Sequence, residues 1–230
     1  LSLSWLDAHP GQTPPAWEDS HEAAQAESTV DTGAPPTIRL RTLGSMDADW
    51  AVKTVMAIEE RIFEPERREP EARLRLSFEA GGIAVVAEVG EADASTVAGY
   101  AFGVPLEGVS EVEGPKTDPN LGKENTFYST AIAVEEAYRG LGLGARLKAA
   151  QLDAARALED ADGAPRYLYS SGRNRVGKAD QMTRLNRRFG AYVSNTYSGQ
   201  YGDPEASAIY YRIPLRELVP TGNRLLPAVE

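Results

Sequence analysis

The chain has no cysteine in 230 residues. That absence removes disulfides, thiolate metal sites and a cysteine nucleophile together. Histidine is nearly absent too. His9 and His21 are the only two, and both lie in a polar N-terminal stretch. A histidine metal site or a histidine-based triad is therefore not expected. No run approaches the roughly eighteen apolar residues of a membrane helix, so no membrane partner is expected. Basic residues are the minority charge, with 24 Lys and Arg against 34 Asp and Glu and a formal net charge of −10. Broad nucleic-acid binding is disfavoured, because phosphate contacts need clustered Lys and Arg. An acidic field keeps a protein soluble, and it also attracts cationic small molecules such as amines. These exclusions lead to the expectation of a cytoplasmic protein without metal.

What remains is ordinary globular composition, long enough for one domain or one domain plus a tail. Residues 1–36 differ from the rest. Pro10, Pro14, Pro15, Pro35 and Pro36 punctuate a stretch rich in Ala, Glu, Ser, Asp and Thr. Such composition buries little apolar surface. It lacks the basic start and long apolar core of a signal peptide. It is expected to be a flexible or draped arm. Leu3, Trp5 and Trp17 could dock it onto the domain or onto a second subunit. The folded unit is expected over residues 37–215, and residues 216–230 as a short extension. The apolar C-terminal residues and the Trp pair could mediate a homodimer.

Along residues 37–215 the pattern alternates between strand and helix. Residues 37–43 (TIRLRTL) alternate as a half-buried strand does. Ala51, Val55, Ile58 and Ile62 recur at helical spacing within residues 47–63, and Ser45 and Asp47 can cap the start. Residues 66–79 are charged and helical, with a break at Pro70 and Leu74 and Leu76 as anchors. Residues 83–89 (IAVVAEV) and 96–104 (TVAGYAFGV) read as strands. Gly99 and Gly103 suggest a bulge or a close approach. Residues 106–124 form a long loop of the kind that binds ligands or acts as a lid. A helix runs from Gly142 to about Asp160, a strand over 166–171, and a polar, basic loop over 172–178. A helix over 179–189 follows, then two closing strands at 191–196 and 208–213. No internal repeat is evident.

The central stretch is residues 126–145, TFYSTAIAVEEAYRGLGLGA. Phe127, Tyr128, Thr130, Ile132 and Val134 are strand formers. Arg139, Gly140, Gly142 and Gly144 then make a turn that opens a helix. The first turn of a helix leaves about four N–H groups unpaired and carries partial positive charge. Glycines let an anion approach, so a phosphate or pyrophosphate is the natural occupant. No GxxxxGK[ST] loop is present. Gly140, Gly142 and Ala145 satisfy only a permissive dinucleotide fingerprint, and the next strand lacks the acidic residue that would hold a ribose.

The RxxGxG spacing of Arg139, Gly142 and Gly144, between a strand and a long amphipathic helix, resembles that of the GNAT superfamily of N-acetyltransferases. The element order and LNRRFGA at 185–191 extend the resemblance over residues 37–215. It implies an α/β (α+β) GNAT fold. The central sheet is mixed and mostly antiparallel, with about seven strands flanked by about four helices. It implies acetyl-CoA as co-substrate, with no metal, and a small-molecule primary amine as acceptor. The backbone of Ile132, Ala133 and Val134 would bond the pantetheine arm. The amides of Arg139, Gly140, Leu141, Gly142, Leu143, Gly144 and Ala145 would hold the pyrophosphate. Asn174 matches an Asn that often touches the cofactor.

Amine acetylation needs a base for the ammonium proton, donors for the oxyanion, and a proton for the leaving thiolate. In the family the base lies near the start of the central strand. That position here is Thr126, which cannot act, so Glu124 is the candidate if the strand extends that far. Many members carry Tyr four residues before the Gly that ends the last helix. Asn186 stands there instead. Tyr197 or Tyr201 could substitute as the acid, or water could serve. A longer acyl donor, a protein-lysine acceptor, and a catalytically weak acyl-CoA-binding domain are the alternatives.

Overall fold

The structure is a computed structural model that describes residues 37–91 and 95–216. The expected N-terminal arm and all but the first residue of the C-terminal extension lie outside them. Seven strands form one sheet in the order β1-β2-β3-β4-β5-β7-β6. They are β1 (Ile38–Leu43), β2 (Ile83–Val89), β3 (Thr96–Pro105), β4 (Thr126–Val134), β5 (Tyr169–Arg175), β6 (Tyr192–Ser198) and β7 (Ser207–Pro214). Every pairing is antiparallel except β4 with β5. Among the described residues there are four α-helices: α1 (Ala48–Ile62), α2 (Glu71–Leu76), α3 (Leu143–Ala157) and α4 (Asp180–Arg188).

The sheet is covered on both faces around β2, while the edge strand β6 is largely exposed. All seven residues of β2 are buried. Ile83, Val85, Ala87 and Val89 pack with Leu143, Leu147 and Leu152 of α3. Ala84 and Val86 pack with Ala51, Val52, Val55 and Ile58 of α1. A strand buried on both faces reads as a continuous apolar run, not an alternating one. The glycines of β3 answer to close approach. A Cβ on Gly103 would stand 2.2 Å from the Phe127 ring, and one on Gly99 would stand 2.7 Å from the Ala133 carbonyl oxygen.

Between β3 and β4 the register slips at Phe102/Gly103, so Thr130 is an extra residue on β4. The Phe102 carbonyl accepts from Thr130 Oγ1 at 3.0 Å and from Gln151 Nε2 at 2.9 Å. Both bonds satisfy an acceptor that the interrupted ladder leaves free.

Loop 106–124 is braced from within the fold. Asp118 accepts from Tyr210 Oη at 2.5 Å and from Arg212 Nη2 at 2.6 Å. Both donors sit on β7. Val104, Leu106, Val109, Tyr128 and Tyr210 form a small core beneath it.

Two boundaries differ from the sequence expectation. The strand expected over 166–171 is β5 at Tyr169–Arg175, so part of the expected polar loop is strand. Its polar residues pair with β7, Gly172 with Tyr211 and Asn174 with Ile209. Tyr197, expected on a loop, belongs to β6.

Candidate active site

β4 and β5 pair at only three positions, Thr126 with Tyr169, Phe127 with Ser170 and Tyr128 with Ser171. Beyond them the strands part, and a cleft of about 560 Å3 opens between them. Tyr128 to Ile132 line one wall, and Arg173, Asn174 and Arg175 line the other. Strand alternation and register distribute the side chains. Tyr128 is opposite Val104 and Ser171, which puts it with Arg173 and Arg175 on the face that carries α1. Ser129 and Asn174 project to the α3 face. Asn174 Nδ2 donates to Thr183 Oγ1 of α4 at 3.0 Å.

Two carboxylates meet the cleft on the α1 face. Glu59, on α1, is 1% exposed. It accepts from Tyr100 Oη at 2.7 Å and from the Glu69 amide at 2.6 Å. Burial raises its pKa, and these bonds oppose the rise only in part. Glu69 lies just before α2 and faces Arg73 at 3.2 Å. Burial raises its pKa to about 7, the Arg73 charge opposes this, and the Glu59 carboxylate adds to it. A carboxyl group titrating near neutrality can take a proton from an ammonium at working pH.

The α3 face holds a different set. Lys148 is 0% exposed, and its Nζ donates to Gln151 Oε1 at 3.3 Å. It also lies 5.7 Å from the centre of the Tyr211 ring. Burial pushes Lys148 down to about 7. Ser129 Oγ donates to the same Gln151 oxygen at 2.8 Å. The Tyr211 hydroxyl lines the cleft and faces Asn186 and Ser129, and burial raises its pKa. Asn186 is 1% exposed, yet its carboxamide makes no hydrogen bond of good geometry.

The glycine turn lies past the end of β4. Gly140 and Gly142 have φ of +82° and +72°, and a Cβ on either would meet nothing within 4 Å. Here glycine supplies a left-handed backbone and an open approach. Among the described residues, the amides of Gly140, Leu141, Gly142, Leu143 and Gly144 have no acceptor. The first bonded amide is Ala145, to the Gly142 carbonyl at 3.2 Å. Arg139 donates from Nε to the Val134 carbonyl at 3.4 Å, tying the turn to β4. Ile132 and Ala131 expose strand backbone where β5 has departed, and Ala133 and Val134 continue that edge.

Of the three sequence-derived catalytic candidates, Glu124 and Tyr197 lie outside this cleft. Glu124 is exposed, with φ of +53°, and its amide donates to Glu107 Oε1 at 3.0 Å. β4 starts at Thr126, so the extension that would aim Glu124 inward is not formed. Tyr197 pairs its hydroxyl with Thr117 Oγ1 at 2.7 Å and Asn195 Nδ2 at 3.0 Å, away from the lining residues. Tyr201 does line the cleft, with Arg173 and Arg175 over its ring at 5.0 and 5.4 Å. Glu59, Glu69 and Arg173 had no motif to single them out. The only hint was charge density around Pro70 and in residues 172–178.

A splayed parallel pair thus lies in the same fold as an open glycine turn at a helix start. The sequence model described as "Acetyltransferase (GNAT) family" matches residues 52–174, more than half of the chain. The chain belongs to this family. No curated protein matches the chain. Solved structures with a similar fold include Arabidopsis thaliana NAA60 in complex with a bisubstrate analogue. It has 13% identity and a TM-score of 0.57 over 77% of this chain and 99% of that one. The ribosomal-protein-S18-alanine N-acetyltransferase of Escherichia coli has 16% identity and a TM-score of 0.54, over 82% and 100%. YncA, a putative acetyltransferase from Salmonella typhimurium with its cofactor acetyl-CoA, has 16% identity and a TM-score of 0.53, over 81% and 99%. At these identities the likeness speaks for the GNAT fold alone. Among the described residues no cluster of metal-ligating side chains occurs, and no helix is long and apolar enough to cross a membrane.

Proposed function

We propose that this GNAT protein transfers an acetyl group from acetyl-CoA to a primary amine of a small molecule, by direct attack in a ternary complex. The observation that carries the reading is the parting of β4 from β5 next to Glu69, a half-buried carboxyl group whose pKa is raised to about 7. The unbonded amides from Gly140 to Gly144 fit a pyrophosphate, and Arg139 and Ala145 frame them. The open edge at Ile132, Ala133 and Val134 fits an amide-bearing arm laid alongside as an extra strand. Asn174 stands at the mouth of the splay.

Glu69 is the general base in this reading. It accepts the proton as the amine nitrogen bonds to the thioester carbonyl carbon. Backbone N–H groups on the open edge of β4 stabilise the oxyanion. The carbon–sulfur bond then breaks and CoA leaves as a thiolate. Asn186 and the Tyr211 hydroxyl are the polar groups available to that sulfur on the α3 face. Glu124 and Tyr197 have no part in this scheme, because neither reaches the cleft.

The test is thermal stability with and without acetyl-CoA, in the wild type and in Gly142→Glu, followed by thiol release with a panel of amines. The expected result is a rise in Tm that the mutant loses, since ligand binding to the folded state stabilises it. Thiol release should follow with at least one amine. Stabilisation without thiol release from any amine would favour an acyl-CoA-binding role. Stabilisation only by longer acyl-CoAs would change the donor.

A further inference from the structure

The chemistry of the acceptor is legible in the charges that the cleft leaves unmatched. On the α1 face most cations are neutralised. Arg67 pairs with Glu64 at 3.0 Å, Arg73 with Glu69 and with Glu111 at 2.7 Å, and Arg175 with Asp203 at 3.0 Å. Arg68 donates to the carbonyls of Phe63 and Glu60, and its charge is felt by buried Glu59. Lys178 is exposed at the rim. Arg173 differs from all of them. It lies partly buried inside the cleft and has no carboxylate in ion-pair range among the described residues. Nη1 donates to the Glu113 carbonyl at 3.0 Å, and Tyr201 lies against the guanidinium plane. These contacts fix the plane and leave Nε and Nη2 free.

A fixed guanidinium with two free donors matches a carboxylate bidentately. Arg173 is also on the face of Glu69, which feels its charge. It is on the opposite face from Ser129 and Asn174. The cleft therefore presents on one face the Glu69 carboxylate, paired with Arg73, and the Arg173 guanidinium whose charge reaches it. An ammonium matches the first and a carboxylate the second.

We propose that the acceptor is an amino acid, whose amine meets Glu69 and whose carboxylate is clamped by Arg173. The inference rests on the acetyltransferase reading above and sharpens it. A peptide N-terminus would bring an amide to Arg173 where a carboxylate is needed. A plain amine would leave the guanidinium unpaired.

The experiment uses the full chain and acetyl-CoA. Thiol release is measured with the common amino acids, each against its decarboxylated amine and its amide. Phenylalanine with 2-phenylethylamine and phenylalaninamide is one such set. A bidentate charge-assisted contact corresponds to a preference of about 10- to 100-fold in kcat/KM for the amino acid. Arg173→Gln should erase that preference by raising KM for the amino acid. It should lower kcat/KM for the decarboxylated amine far less, because that amine has no carboxylate for Arg173 to hold. Arg173→Lys keeps the charge without the fork and should restore part of the preference. Equal or better turnover of amines or amides would overturn the inference and leave the transferase reading intact. So would an Arg173→Gln variant that slows both classes alike, which marks a structural role. Thiol release from no amine of either kind, with acetyl-CoA still stabilising the protein, would overturn both.

Discussion

Two tyrosines in this protein donate to buried carboxylates, and the two pairs serve opposite ends. Tyr210 donates to Asp118 and Tyr100 donates to Glu59. Around Asp118 the charge is closed. Arg212 Nη2 meets Oδ1 at 2.6 Å, and the Asn120 amide adds a bond of 2.8 Å to the same oxygen. Glu59 has no ion pair among the described residues; it feels the Arg68 charge, and its own charge adds to the burial that drives Glu69 up to about 7. A neutralised buried acid fastens a loop to the sheet. An acid faced by a second acid keeps a proton in play. Burial alone does not distinguish the two; the partner does.

The largest expected effect comes from removing the mobile proton's acceptor. Glu69→Gln keeps the size of the side chain and should lower kcat/KM by roughly 100-fold or more at pH 7, the range for a general base. Acetyl-CoA should still raise Tm in this variant. Its stability should respond with a definite sign. The carboxyl pKa is raised from its ordinary 4.5 to about 7, so between these values the folded chain holds more protons than the unfolded one. Wild-type stability from this group is present below about 4.5 and is lost as pH rises through about 7. The Gln variant lacks that loss. Urea unfolding at pH 5 and pH 8 reads the difference, and an unchanged kcat/KM would remove Glu69 from the mechanism.

The closed pair should fail in the other way. Asp118→Ala strips the partners from Tyr210 and leaves the Arg212 guanidinium buried and unpaired. Breaking one side of such a pair costs about 3–5 kcal/mol. Urea denaturation should show that loss. A loss under about 1 kcal/mol would mean that solvent reaches Arg212 readily, and the contrast drawn above would collapse.

The fold was legible where packing dictates pattern, and the cleft was hidden where chemistry overrides it. β2 and β4 are apolar or β-branched because both faces are covered, and the turn at 139–144 carries its glycines in view. β5 was misplaced because Arg173, Asn174 and Arg175 look like loop. Their strand geometry comes from backbone pairing with β7, while one face meets a cleft. Glu69 sits in a charged run around Pro70 that reads as solvent-facing helix. Its buried neighbour Glu59, which accepts from the Glu69 amide at 2.6 Å, stands ten residues back and in no motif. Glu124 was aimed inward by a count that assumed two more strand residues. Its left-handed φ and the Leu168 amide bonding to the Asn125 carbonyl at 2.8 Å mark where pairing begins.

A finer test of the contrast is Glu59→Gln. The Glu59 charge is one of the causes that raise Glu69. Without it, the acidic limb of the kcat/KM profile should move to lower pH, by on the order of half a unit. The Gln oxygen can accept from the Glu69 amide while its NH2 donates to the Tyr100 hydroxyl oxygen, so the fold should survive. A limb that stays in place would assign the raised Glu69 value to burial alone.

Lys148 is a buried amine with neither an opposite partner among the described residues nor a place in the cleft lining. Burial pushes it from an ordinary value near 10.5 to about 7. Between those values the unfolded chain holds more protons, so stability rises with pH across the window. The contribution is full above about 10.5 and is lost as pH falls through about 7. Lys148→Met replaces the amine with a similar volume and removes the titration. The variant should be more stable than the wild type at pH 6 by about 1–3 kcal/mol, with the gap narrowing toward pH 10. Urea midpoints at the two pH values read this. If Met is instead the less stable at both, the amine's bond to Gln151 outweighs its desolvation. Lys148 would then belong with Asp118 as a brace, holding the Gln151 side chain that secures Ser129 and the Phe102 carbonyl at the bulge.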